Sequence, residues 1–197
     1  SLVMEGGEER RRFTDMVISQ FDRVYLAQLI RYNHALLQRN RLLRDYASNP
    51  QPELIDVWTG QLAMPCDFLF TKRKQFVDEI LPVFRKYYSF ISSDNEEVAL
   101  GYTSHLLQSD ATELFRQSYQ KDTLLGYTHA GIHRDDLDFT ISGHPLKRTG
   151  SQGQQKTFVT ALKLAQFDYI SSKCGYKPLL LLDDIFDKLD AGRVKQI

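Results

Sequence analysis

The sequence predicts an α/β chain. Its first half reads as a helical arm of long antiparallel helices, and its second half mixes short strands with helices. Three observations carry that reading. Over residues 22–46, Tyr25, Leu29, Tyr32, Leu36, Leu43 and Tyr46 recur at three- and four-residue steps with one longer gap, the period of a helix with one apolar face. Beyond residue 92 this period gives way to short alternating stretches. Near the end, Pro178-Leu179-Leu180-Leu181-Leu182 is an unbroken apolar run closed by Asp183-Asp184, the profile of a strand buried on both faces of a parallel sheet.

Taken in order, Asp22 is placed to cap the first long helix, since its carboxylate can accept the unsatisfied amides of a first turn. Arg23, Arg31, Arg39, Arg41 and Arg44 fall on or beside its polar face. Ser48-Asn49-Pro50-Gln51-Pro52 then stops the pattern, because proline lacks the donor that a helix interior needs. A second helical stretch covers 53–90, with Leu54, Val57, Trp58, Leu62, Phe76, Ile80, Val83, Phe84 and Tyr87 as its apolar set. Pro65 and Pro82 lie inside it, and each is expected to break or kink it. Two such helices form a hairpin, which sets residues 1–92 as a helical arm and 93–197 as a second domain. In that second part, 98–103 reads as a strand after the polar Ser92-Ser93-Asp94-Asn95, and 111–120 as a short helix capped by Ser109 or Asp110. Residues 137–142 alternate like a strand entering the turn Gly143-His144-Pro145, and 152–172 are helical through Phe158, Leu162, Ala165 and Tyr169. Trp58 and the tyrosines read as core rather than as platforms for stacking bases.

Composition narrows the function classes. The 197 residues hold 25 Lys+Arg and 25 Asp+Glu, a formal net charge of zero. That excludes a strongly basic, charge-driven nucleic-acid binder and an acidic tail protein, while leaving room for a local basic patch. No apolar run approaches the ~18–20 residues of a membrane span, so no membrane partner is expected. Two cysteines, Cys66 and Cys174, cannot build a disulfide framework, and a reducing cytoplasm is the expected setting. The chain opens at Ser1 and stops at Ile197 inside a helical pattern, so a piece of a longer protein is expected.

Two stretches point to chemistry. A buried strand ending in adjacent carboxylates puts two negative charges at the carboxyl edge of a sheet, where open α/β sheets bind ligands. Hydrated Mg²⁺ on a nucleotide is their usual partner; the competing reading is a core strand followed by solvated aspartates. Thr149-Gly150-Ser151-Gln152-Gly153-Gln154-Gln155-Lys156 joins a loop to a strongly periodic helix. Ser151 can cap that helix, and the free amides and dipole of its first turn suit a phosphate. Read more plainly, this is a serine-capped helix with a polar first turn. It is not a Walker A loop: no G-x-x-x-x-G-K-[ST] occurs in these residues. His129, His133, Asp135, Asp136 and Asp138 lack convincing zinc spacing, Gly131 argues against a regular helix between the histidines, and no cysteine joins them.

Together the two stretches say more than either alone. A small-polar-Gly-Gln motif opening a helix, then a hydrophobic strand ending in two acids, then Leu189-Asp190, follows the motif order of ABC-type ATPases: signature, Walker B, D-loop. With Gly131-Ile132-His133-Arg134-Asp135-Asp136-Leu137, and with Glu8-Glu9-Arg10-Arg11-Arg12-Phe13 and Gln38-Arg39-Asn40-Arg41-Leu42-Leu43 upstream, the chain resembles the RecF family of SMC-like ABC ATPases over nearly its whole length. The resemblance implies that 93–197 form the C-terminal part of an ABC-type P-loop ATPase head, carrying signature, Walker B and D-loop, with the Walker A half absent. Asp183 would hold Mg²⁺ through its water shell, and Asp184 would be the catalytic residue that polarises the attacking water. Ser151, Gln152, Gly153 and Gln154 would form the signature that meets ATP held by the opposing subunit, and Asp190 would line the dimer interface. His133, Arg134, Asp135 and Asp136 belong to a family motif without an assigned role, in which Arg134 could pair with Asp135 or Asp136 or meet phosphate. For the full-length protein the resemblance implies a cytoplasmic, DNA-dependent ATPase of replication, recombination, repair and the SOS response. It would bind ATP, Mg²⁺ and DNA at single-strand/double-strand gap junctions, dimerise with ATP and help load recombinase with RecO and RecR. The chain alone is expected to be inactive. Two other classes compete: a helical protein-interaction module without nucleotide activity, and the head of another SMC-like ATPase.

Overall fold

The computed structural model describes residues 2–92 and 96–179. Six α-helices and three strands are assigned among these: α1 (Gly7–Ser19), α2 (Arg23–Arg44), α3 (Pro52–Ser92), β1 (Val98–Thr103), α4 (Ala111–Leu125), β2 (Asp136–Ile141), β3 (His144–Pro145), α5 (Leu146–Thr149) and α6 (Gln152–Cys174). Short 3-10 turns at His105–Leu107 and Ile132–Arg134 flank α4 and precede β2. No described helix is long and apolar enough to cross a membrane.

Most boundaries follow from capping. The Asp22 carboxylate accepts the Tyr25 amide at 2.8 Å and starts α2. Asp110, rather than Ser109, starts α4 by accepting the Glu113 amide at 2.9 Å. Asp67 of α3 adds a second acceptor there, 2.9 Å from the Ala111 amide. Helix α1 forms a separate element ahead of α2, with Glu8 and Glu9 in its first turn facing the positive end of the helix dipole.

Helix α3 runs through Pro65 and Pro82 as one continuous helix, so neither proline breaks it. Proline's fixed φ is already close to helical, and the lost hydrogen bonds are offset by burial on either side. Leu62, Cys66 and Leu69 flank Pro65, and Phe76, Ile80 and Phe84 surround Pro82, all buried. The apolar set of α3 also differs at its start, where Leu54 and Val57 are exposed and Ile55 is buried.

Two compact units result. One comprises Ser1–Phe21, Gln75–Tyr102 and Leu137–Ile197, the other Asp22–Lys74 and Thr103–Asp136. The physical reason is the length of α3. Its 41 residues run about 60 Å at the helical rise, longer than one small core can cover. Residues up to Lys74 therefore serve one core and those from Gln75 the other.

In the first unit, β1, β2 and β3 form a sheet in that order. β2 and β3 pair antiparallel with Ile141 opposite His144, so the turn is Ser142-Gly143, and His144 and Pro145 are strand rather than turn. Phe139 of β2 packs on Phe158 of α6 at 5.2 Å between ring centroids. Phe158 in turn meets Phe84 of α3 at 4.6 Å, so sheet, α6 and the later part of α3 share one aromatic core. In the second unit, α2 and the first part of α3 run antiparallel, since Asp22 meets Lys72 while Arg39 meets Thr59. Their core is Tyr25, Tyr32, Leu43, Ile55, Leu62 and Leu69, closed by Phe115 of α4.

Candidate functional site

The best-formed site is the start of α6. Ser151 caps the helix: its Oγ accepts the Gln154 amide at 3.2 Å, and the Gln154 Oε1 accepts the Ser151 amide at 2.7 Å. This is a complete capping box. Gly150 is placed by close approach, because a Cβ there would stand 2.6 Å from Leu146 Cδ1 and 2.7 Å from the Leu146 carbonyl oxygen. Ser151 and Gln152 are exposed, and Gly153 and Gln154 are half-buried.

The arrangement fits an incoming phosphate. The Ser151 hydroxyl uses a lone pair for the cap, which leaves its proton available to donate. The Gln152 and Gly153 amides belong to the first turn, where no intrahelical acceptor exists. Gln154 is tied at both ends of its side-chain amide. Its Oε1 is held by the Ser151 amide, and its Nε2 donates to Glu96 Oε1 at 2.6 Å. Glu96 also accepts the Tyr88 hydroxyl at 2.6 Å. Asp183, Asp184, Asp190 and the expected strand from Leu180 onward lie outside the described residues.

The Gly131–Asp136 motif takes a different place, in the second unit. Gly131 has φ +125°, and a Cβ there would stand 2.8 Å from the Tyr32 hydroxyl, so both conformation and space call for glycine. The turn that follows carries His133 between two partners. Its Nε2 lies 2.9 Å from the Thr128 carbonyl oxygen and must donate, leaving Nδ1 to accept the Tyr32 hydroxyl at 2.7 Å. Burial, above all, pushes the Tyr32 hydroxyl well above its ordinary pKa. Asp135 is fully buried against Arg73, whose Nη1 donates to it at 3.3 Å and to the Ile132 carbonyl at 2.7 Å. Asp135 thus pairs with Arg73, while Arg134 lies over the Tyr127 ring at 5.4 Å, and Asp136 opens β2.

A second buried ion pair sits close by in sequence. Arg39 Nη1 donates to Asp122 Oδ2 and to Thr128 Oγ1, each at 2.7 Å, and the Arg39 and Asp122 side chains are both 0% exposed. Asp122 also accepts from the His129 backbone amide at 2.9 Å and meets its ring Nδ1. Arg39 is thus a core residue and not part of a polar face. The Gly131–Asp136 motif, together with residues 122–129, clamps its loop onto α2 and α3. Sequence reasoning missed Arg73, Asp122 and Glu96. The available signal for the arginines was their register, since Arg39 continues the Tyr25–Tyr32–Ala35 stripe and Arg73 falls between Leu69 and Phe76. Burial also pushes the Cys66 thiol up to about 12. Among the described residues, no group of three His, Cys, Asp or Glu is placed to hold a metal ion.

No family model matches the chain. It is 49% identical over 196 residues to the DNA replication and repair protein RecF of Bacteroides thetaiotaomicron, covering all of this chain and 53% of that protein. To the protein of the same name in Flavobacterium johnsoniae it is 47% identical over 198 residues, covering 55% of it. Among solved structures, that of the recombination mediator protein RecF-ATP in the RecFOR pathway superposes with a TM-score of 0.89 at 27% identity, over 98% of this chain and 54% of that one. The corresponding RecF-ATPrS structure gives 0.86 at the same identity. The described part, mostly helical with a small sheet, is the RecF ABC ATPase fold. In sequence and in backbone alike the match to RecF proteins runs the length of the chain, which spans about half the length of the curated relatives it matches.

Proposed function

We propose that this chain supplies the arm and the signature end of a RecF-type ATPase that dimerises with ATP, binds DNA at gap junctions and helps load recombinase with RecO and RecR. The observation that supports this best is the start of α6: an exposed, fully capped helix end whose Ser151 proton and first-turn amides are available to an anion. In the proposed dimer, Ser151, Gln152 and Gly153 of one protomer meet the γ-phosphate of ATP held by the other, and Gln154 holds the cap. Asp183 carries Mg²⁺ through water, Asp184 orients the attacking water, and Asp190 lines the interface. Magnesium supplies charge neutralisation at the phosphates. Each composite site is complete only when two heads meet, so ATP favours the dimer and hydrolysis releases it. With zero net charge, DNA contact falls to local basic patches such as the exposed Arg41 and Arg44 of α2. The setting we propose is the cytoplasm.

Ser151→Arg in the full-length protein tests the reading. A bulky cation in the place of the phosphate should abolish ATP-induced dimerisation while nucleotide binding by the monomer persists. Loss of the cap alone costs roughly 0.5–2 kcal/mol of stability and lowers the melting temperature without selecting against the dimer. Light scattering with and without ATP, beside a thermal melt, separates the two. A mutant that melts early yet still dimerises with ATP sinks the assignment.

A further inference from the structure

We infer that Glu96 is a positioning residue for the signature end of α6, orienting the Gln154 side-chain amide so that the capping box holds Ser151 ready for a phosphate. The inference rests on the proposed function above.

A glutamine side chain offers an oxygen and an NH₂ group at nearly the same distance, and a flip exchanges them. The capping box works in one orientation only, with Oε1 toward the Ser151 amide. In the flipped state two donors would face each other, the Ser151 amide would lose its acceptor, and the first turn would lose one of its two ties.

Glu96 decides between the two orientations. Its carboxylate, which when ionised only accepts, stands 2.6 Å from Gln154 Nε2. It therefore favours the NH₂ group on its own side and sends Oε1 to Ser151. Glu96 is itself anchored, because its second oxygen accepts the Tyr88 hydroxyl at 2.6 Å. Tyr88 is 1% exposed, and its ring packs against Phe84 and against Phe158 of α6. The same aromatic core that seats α6 thus seats the residue that sets its first turn. The neighbouring backbone is tied as well, with the Ser142 amide donating to the Glu97 carbonyl at 2.7 Å at the end of β2.

Ser151 can then present its hydroxyl proton from a fixed position instead of from a fraying turn. Charge-assisted bonds of this kind are the stronger class. Glu96 lies 58 residues before Gln154, so no local motif contains it.

The test uses the full-length protein with Glu96→Ala and Glu96→Gln beside wild type, reading ATP-induced dimerisation, nucleotide binding by the monomer and thermal melting. Glu96→Ala should weaken ATP-induced dimerisation about tenfold, the scale of one lost charge-assisted bond, while monomer nucleotide binding is retained. Glu96→Gln should recover part of the loss, since its amide oxygen can accept from Gln154 and its amide nitrogen can donate to the Tyr88 oxygen, although it no longer only accepts. Wild-type dimerisation by Glu96→Ala overturns the inference. So does a glutamine variant as impaired as the alanine one, or a loss of dimerisation matched by loss of monomer binding. Should Glu96→Ala not fold, Tyr88→Phe carries the test: a few-fold loss of dimerisation supports the role of Glu96, and unchanged dimerisation overturns it. Ser151→Arg, run alongside, distinguishes the levels. If it too dimerises normally, the reading of α6 as a trans-acting signature has failed. If it blocks dimerisation while Glu96→Ala does not, only the role of Glu96 has.

Discussion

Arg39 and Asp122 show how a single buried charge depends on its partner. Both side chains are fully buried, and the pair shares Thr128 and the His129 amide as further hydrogen-bonding groups. Asp122→Ala leaves the guanidinium buried without its counter-charge, a change that costs about 3–5 kcal/mol. Asp122→Asn keeps one acceptor toward the arginine and should lose less. Urea unfolding of the two variants checks the order, and equal midpoints would remove the ion pair from the account. The same pair marks where sequence reading reaches its limit. The helical period over residues 22–46 was legible, and so was the Asp22 cap. Arg39 was placed on or beside the polar face although its register continues the buried stripe; its partner lies 83 residues on, and nothing local announces Asp122. His133 was legible as part of a motif, while its partner Tyr32 was legible only as an apolar helix position.

At the scale of elements, α3 and α6 are joined by a cluster whose charge sets its response to acid. Burial raises the Glu79 carboxyl, but hydrogen bonds from Lys173, Gln75 and Tyr169 outweigh it and bring it down to about 2 from an ordinary 4.5. A carboxylate depressed in the folded state contributes stability that is fully present above its unfolded pKa. That contribution is lost as pH falls from about 4.5 through about 2. Glu79→Gln should therefore flatten the acid side of the stability curve, read as melting temperature across that range. An unchanged acid limb would show that Glu79 does not carry it. Elements were legible where one local rule decided them: β1, the Ser151 cap and the start of α4. They were less so where tertiary burial overrode the rule. Proline predicted a break or a kink near positions 65 and 82, and the buried apolar flanks of both are consistent with the continuous α3 observed. The Ser142-Gly143 turn was displaced by two residues because His144 and Pro145 pair with β2, a contact that local turn composition does not reveal.

For the whole molecule, the fold was legible because the motifs that pointed to it are short and local. The partition into units arises from α3 serving two cores, which no local pattern announces. The missing G-x-x-x-x-G-K-[ST] loop carries its own prediction. Without the backbone cradle and lysine that hold the phosphates, these 197 residues alone should bind Mg-ATP only weakly and hydrolyse it negligibly. Equilibrium titration showing micromolar binding would contradict that. The interleaving of the second unit also matters while the chain is being made. Tyr32 waits for His133 across 101 residues and Arg39 for Asp122 across 83. At translation rates of about 5–20 residues per second, the α2–α3 hairpin, complete at Lys74, emerges roughly 2–12 s before the Asp122 and Asp135 carboxylates that will neutralise its arginines. During that interval Arg39 and Arg73 must stay hydrated, which holds the nascent hairpin open and leaves Tyr25, Tyr32 and Leu62 within reach of chaperones that bind apolar segments at the ribosome exit.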